Sequence, residues 1–166
     1  MNTKELGDLG ERIACEYLVK KGFKIIEKNF RIKWGEIDII AKKKWRLFAK
    51  NDKTIHFVEV KTILQNDFKN GRPSKFEVVG FFPEEKVNYK KQKKLKQLCQ
   101  IWLEKNMHSI FPSIVRKIIT SSYFPLSLGN KFPQNYPYQI DVIGILVDLN
   151  TKKSKIHYFA NVVEDR

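Results

Sequence analysis

Glu36, Asp38, Glu59 and Lys61 fall in two short stretches, Glu36–Ala41 (EIDIIA) and Thr54–Lys61 (TIHFVEVK), that are otherwise rich in β-branched and aromatic residues. Such stretches are too short for helices and read as strands. Side chains alternate faces along a strand. Regular alternation puts Ile37, Ile39 and Ala41 on one face and Glu36, Asp38 and Ile40 on the other. In the second strand it sets Val58 and Val60 against Phe57, Glu59 and Lys61. Both strands are apolar enough to be central, so their charges stand where burial normally excludes them. If the strands are neighbours, Asp38, Glu59 and Lys61 converge on one surface. Converging carboxylates repel, and a divalent cation is the usual remedy. The competing explanation gives each strand one solvated face, as antiparallel edge strands often have.

A second anomaly lies in Lys86–Lys105, which reads as a helix. At 100° per residue, Val87, Leu95, Leu98, Ile101 and Trp102 form an apolar arc, and Lys91 lies in the middle of it. A lysine in a core stripe must snorkel or meet an anion. Lys90, Lys93, Lys94 and Lys96 spread over the flanks and back, where a solvated face and phosphate contact are both open. Glu11, in the first helix, sits at the margin of that helix's apolar stripe. His56, His108 and His157 show no ligand spacing and read as ordinary strand or loop residues.

The elements that would position these groups follow from periodicity and punctuation. Residues 4–21 read as a helix, with Leu6, Leu9, Gly10, Ile13, Ala14 and Tyr17 on one face, Thr3 as N-cap and Gly22 as the stop. Phe23–Phe30 reads as a strand followed by a turn at Lys33–Gly35. Tyr138–Leu149 and Lys155–Val163 read as two closing strands with a turn at Asn150–Thr151. Lys42–Lys53, with six basic residues and one acid, suits a hairpin arm, and the glycines and prolines of 62–84 suit a long loop. The fold class is therefore α/β with a mixed central sheet flanked by helices, in a single domain over residues 1–166.

Of the 166 residues, 32 are Lys or Arg and 18 are Asp or Glu, a formal charge of +14 that points to a polyanionic partner. Lys86–Lys96 holds six lysines and no acid, yet removing it leaves the chain basic, so the charge is spread as a groove for a polyanion needs. The longest apolar run, Val142–Val147, is far below the roughly 20 residues of a membrane span. The N-terminus shows no export signal, and two cysteines without a CxxC exclude a disulfide scaffold and a cysteine zinc site. These features lead us to expect a soluble cytoplasmic domain without a membrane partner.

Gly10-Glu11-Arg12-x-Ala14-x-x-Tyr17-Leu18, Gly22, Asn29-Phe30-Arg31, Gly35-Glu36-Ile37-Asp38-x-Ile40-Ala41 and Phe57-Val58-Glu59-Val60-Lys61-Thr62 closely resemble the YraN family. The likeness continues at Val87-x-x-x-Lys91-x-x-x-Leu95, Asp141-Val142 and Asn161. That family looks like a branch of the PD-(D/E)xK nucleases, near the Holliday-junction resolvases. The resemblance implies a restriction-endonuclease-like core and a metal-dependent DNA endonuclease, acting on branched or damaged DNA. It implies that Asp38, Glu59 and the Val60 carbonyl hold Mg²⁺ or Mn²⁺. Lys61 would orient the attacking water, Glu11 would be the helix-borne acid that completes metal binding, and Glu36 would support the site from the same strand face. Lys91 would approach the scissile phosphate, and Lys90, Lys93 and Lys94 would contact DNA. A bound divalent ion lowers the pKa of water and offsets charge building on the phosphate.

The chain departs from the family pattern at Ile63 and Gln139, where arginines are usual, and carries added length near 42–53, 62–85 and 106–137. The alternative is a nucleic-acid-binding protein of the same fold with little or no catalysis. A homodimer would suit a two-fold junction.

Overall fold

The computed structural model describes residues 1–44, 52–64, 89–110 and 136–163, with the side chains of 89–91 and 107–110 outside that description. In chain order the elements are α1 (Thr3–Lys20), β1 (Phe23–Ile32), β2 (Gly35–Lys43), β3 (Ile55–Leu64), α2 (Tyr89–Ile110), β4 (Tyr138–Asp148) and β5 (Lys153–Phe159). The expected stretches near 42–53, 62–85 and 106–137 lie mostly outside the described residues.

α1 begins one residue earlier than its pattern suggests, because Asn2 rather than Thr3 caps it. The Asn2 carboxamide accepts from the Glu5 N–H at 2.8 Å, and the Glu5 carboxylate accepts from the Asn2 N–H at 2.9 Å. This reciprocal capping box satisfies two donors that the first turn leaves open. Gly22, at φ +86°, ends the helix in a conformation that glycine adopts without a Cβ penalty.

The five strands form one sheet in the order β1-β2-β3-β4-β5. β1–β2, β2–β3 and β4–β5 are antiparallel and β3–β4 is parallel, so the sheet is mixed as expected. A parallel pair needs a long crossover. α2 belongs to that connection and packs on one face of the sheet.

Two apolar clusters lie on opposite faces. Leu95, Leu98, Cys99, Trp102 and Leu103 of α2 meet Phe30, Ile37, Ile40, Ile55, Phe57 and Ile140. Ala14 and Leu18 of α1 meet Phe23, Ile39, Ala41, Val58, Ile143, Ile145 and Val147. The sheet is thus buried on both sides, which is why β3 and β4 read as nearly continuous apolar runs. No helix among the described residues is long and apolar enough to cross a membrane.

Candidate functional site

Strict alternation fails in β2, and the failure shapes the site. Ile37 and Ile40 pack toward α2, whereas Ile39 and Ala41 pack toward α1. Ile37 therefore does not share a face with Ile39, as regular pleating would require, and Asp38 sits at the break. Opposite it, Lys28 pairs with Ile39 and Phe30 with Ile37, which puts Asn29 across from Asp38. Asn29 adopts φ +53°, a left-handed conformation that asparagine tolerates better than most residues. Both strands of the hairpin thus lose their pleat at the same level.

The β2–β3 ladder stops there too, at Ile39 opposite Val58. Continued in register, Ile37 would face Val60. Instead the Asp38 Oδ2 accepts the Val60 N–H at 2.6 Å. A carboxylate has replaced a backbone carbonyl, and β2 is free to part from β3. A strand residue directs its N–H and C=O to the same edge. The Val60 carbonyl therefore faces the same opening as Asp38.

α1 supplies the third side. A Cβ on Gly10 would lie 1.7 Å from the Thr62 Oγ1, so only glycine lets the helix rest this closely on β3. The next residue, Glu11, is thereby brought to the opening, where its Oε2 accepts from the Asn29 carboxamide at 2.9 Å. Burial raises the Asp38 carboxyl to about 6, the Val60 hydrogen bond opposes the rise, and the carboxylates of Glu59, Glu11 and Glu36 add to it. Four acids therefore share one field. Among the described residues, no three such groups stand close enough together to hold a metal ion as placed.

The other sequence-derived candidates separate. Lys61 is exposed, next to half-buried Glu59 and Val60, on the strand that carries both. Glu36 is also exposed and pairs with Arg31 Nε at 2.7 Å across the β1–β2 hairpin, so it reaches Asp38 only through its charge. Lys93 and Lys94 are exposed on α2. The backbone of Lys90 and Lys91 belongs to the first turn of that helix, with Lys91 one turn before buried Leu95. Their side chains lie outside the described residues.

Residue-type reasoning missed a second polar centre, on the α1 side. His56 is 3% exposed and Asp141 is fully buried, and His56 Nδ1 lies 2.8 Å from Asp141 Oδ2. The carboxylate also accepts from the Tyr158 hydroxyl at 2.5 Å, the Gln139 carboxamide at 2.7 Å and the Asn161 N–H at 2.9 Å. Burial alone would raise Asp141, but the bonds from His56, Tyr158, Asn161 and Gln139 outweigh it and hold the carboxyl below its usual range. His56 is therefore no ordinary strand residue. The available signal was a lone polar ring in the run Ile55-His56-Phe57-Val58; the register that pairs it with Gln139, two residues from the position facing Asp141, exists only in the folded sheet.

The sequence pattern of Uncharacterised protein family UPF0102 matches residues 10–145, which run from Gly10 within α1 through Asp38 and the Glu59–Lys61 segment to beyond Asp141. A UPF0102 protein of Caldicellulosiruptor bescii is 32% identical over 165 residues, covering 99% of this chain and 98% of its own length. One from Alkaliphilus metalliredigens is 33% identical over 159 residues, covering 96% and 97%. A third, from Clostridioides difficile, is 42% identical over 106 residues, covering 64% of this chain and 75% of its own. This likeness runs through both helices and all five strands, and the chain belongs to the UPF0102 family.

Proposed function

We propose that the protein is a divalent-metal-dependent DNA endonuclease of the PD-(D/E)xK type. The observation that carries the reading is Asp38. It is a partly buried carboxylate set at a break in β2, raised to about 6 by burial and by neighbouring acids, with Lys61 on the adjoining strand. A mutually repelling carboxylate cluster inside a chain of charge +14 is unfavourable for a protein that only binds phosphate. It is what a hard cation neutralises.

The donor set fits Mg²⁺ or Mn²⁺ chemically. It offers carboxylate oxygens and a strand carbonyl, without histidine or cysteine, and hard cations prefer oxygen ligands. Asp38, Glu59 and the Val60 carbonyl would hold the ion, with Glu11 completing the set. Bound there, the ion would activate water and offset charge on the phosphate. Lys61, exposed beside Glu59, would orient the attacking water and steady charge on the non-bridging oxygens. Lys93 and Lys94, with Lys90 and Lys91 before them on α2, would grip the DNA backbone.

A specific observation favours the binding-only alternative. Gln139, in place of the usual arginine, spends its carboxamide on Asp141 inside the protein, so it is committed to the fold rather than to DNA. The two readings part in one assay. Purified protein is mixed with labelled single strand, duplex, flap and four-way junction, in Mg²⁺, Mn²⁺ or EDTA, with Lys61→Ala alongside. Metal-dependent cutting that disappears in Lys61→Ala supports the enzyme. Tight binding without cutting in either metal supports the binder.

A further inference from the structure

Trp34 is 64% exposed, the most exposed of the large hydrophobic side chains among the described residues. It occupies the two-residue turn between β1 and β2, where Ile32 pairs with Gly35. The turn is not loose. A Cβ on Gly35 would meet Lys94 Cε at 2.9 Å and Leu98 Cδ1 at 3.1 Å, so α2 lies directly against the backbone next to Trp34. Leu98 is core, which anchors the hairpin tip to the body of the protein. Lys94, exposed, brings its ammonium 3.5 Å from that Gly35 position, Lys33 precedes Trp34 in the turn, and Lys93 is exposed next to Lys94 on α2. Arg31 adds a fourth, already paired with Glu36.

A rigidly mounted aromatic ring among cations matches the way single-stranded segments are held: phosphates by the charges, a base by the ring. On an intact duplex the ring would first have to unstack a base step, which costs free energy, whereas an interrupted duplex offers a base already exposed. Trp34 also lies in the turn that leads into the strand carrying Asp38, four residues before it. A fully extended chain reaches roughly 3.6 Å per residue, so the two backbones lie within about 14 Å of each other. Consecutive bases in one DNA strand rise about 3.4 Å, so the separation is at most about four steps.

We infer that Trp34 is a stacking platform for a nucleobase exposed where duplex DNA is interrupted, by a flap, gap or branch, held within about four nucleotide steps of the phosphate at Asp38. This rests on the nucleic-acid reading of the site and adds what selects the substrate. Trp34, Lys33, Lys93 and Lys94 together read the discontinuity, and the carboxylate cluster acts at a fixed distance from it.

The test compares the full-length protein with Trp34→Ala and Trp34→Phe, in EDTA so that nothing is cut. The probes are an intact duplex and the same duplex with a short gap carrying 2-aminopurine at the unpaired base. Fluorescence anisotropy gives Kd, and quenching of 2-aminopurine reports stacking. Trp34→Ala is expected to weaken binding of the gapped DNA by about five- to a hundred-fold and to abolish the quench. Duplex affinity should stay within about two-fold, and Trp34→Phe should recover most of the loss. Equal losses on both DNAs, or an unchanged quench, overturn the inference while leaving DNA binding intact. Absence of binding to either DNA by the unaltered protein removes the nucleic-acid reading itself. Trp34-dependent binding to phosphatidylserine vesicles without DNA binding assigns the residue to a membrane surface and also overturns the inference.

Discussion

Replacing Asp38 by asparagine should stabilise the fold at neutral pH while destroying the proposed activity. Asparagine keeps an oxygen for the Val60 N–H but removes the charge. The Asp38 carboxyl lies at about 6 against an ordinary 3.8, so ionising it in the folded chain costs about 2–3 kcal/mol at 1.36 kcal/mol per unit. The sign follows from the direction of the shift. A carboxyl raised on folding carries no penalty below about pH 4. The penalty grows as the pH climbs toward 6 and is complete above it. Asp38→Asn should therefore match the unaltered protein at pH 4 and exceed it by about 2–3 kcal/mol at pH 8. In a chain of this length that is a Tm increase of roughly 4–12 °C. Urea denaturation at the two pH values, at unchanged m, reads the difference. Mg²⁺ should narrow the gap at pH 8, since the cation relieves the unaltered protein and finds less to bind in the variant. A gain equal at both pH values, or a loss at pH 8, would refute the claim that the carboxylate is held under repulsion.

Gly10→Ala would drive a methyl group into Thr62, so we expect a loss of about 1–3 kcal/mol by thermal denaturation, together with reduced cleavage because Glu11 moves with the helix. Asp141→Ala strips the acceptor from His56, Tyr158, Gln139 and Asn161, and urea denaturation should show a loss of about 3–5 kcal/mol. Because the Asp141 carboxyl is depressed on folding, its stabilisation is present above its ordinary value of 3.8 and disappears as pH falls through its lower folded value; an acid titration of Asp141→Asn should lack that component. Lys90→Ala and Lys94→Ala should weaken DNA binding alike on all sequences, and each should flatten its salt dependence by about one unit if that lysine neutralises a phosphate. Unchanged slopes would return both lysines to a solvated face.

Much of the fold was legible because its signals are local. Gly22 stops α1, the short β-branched runs make β2 and β3, and Asp148 accepts from Asn150 and Thr151 in the turn expected before β5. The break at Asp38 was not legible. A strand pattern assumes period two, and nothing in EIDIIA announces that Ile37 turns toward α2 while Ile39 turns toward α1. That outcome depends on Asn29 in another strand, and on Asp38 taking a hydrogen bond that the ladder would have given to the backbone. Regular alternation predicts that Asp38 and Glu59 converge, and what the structure shows of the two is an electrostatic influence of Glu59 on Asp38. Asp38 reaches β3 through the Val60 N–H at the level where the β2–β3 ladder ends, and not from a flat face shared with Glu59 and Lys61. The His56–Asp141 centre was hidden for the same kind of reason. Its members come from β3, β4, β5 and the segment after β5, and only the sheet order brings them together.

The most direct measurement is to follow cleavage and binding of one labelled four-way junction side by side, with the unaltered protein and with Asp38→Asn, in Mg²⁺ and in EDTA. The account predicts Mg²⁺-dependent cutting by the unaltered protein and none by the variant. Binding by the variant should be retained or tightened, because a negative charge near the phosphate is gone. Cutting that survives EDTA or the substitution, or a parallel loss of binding and cleavage, would contradict it.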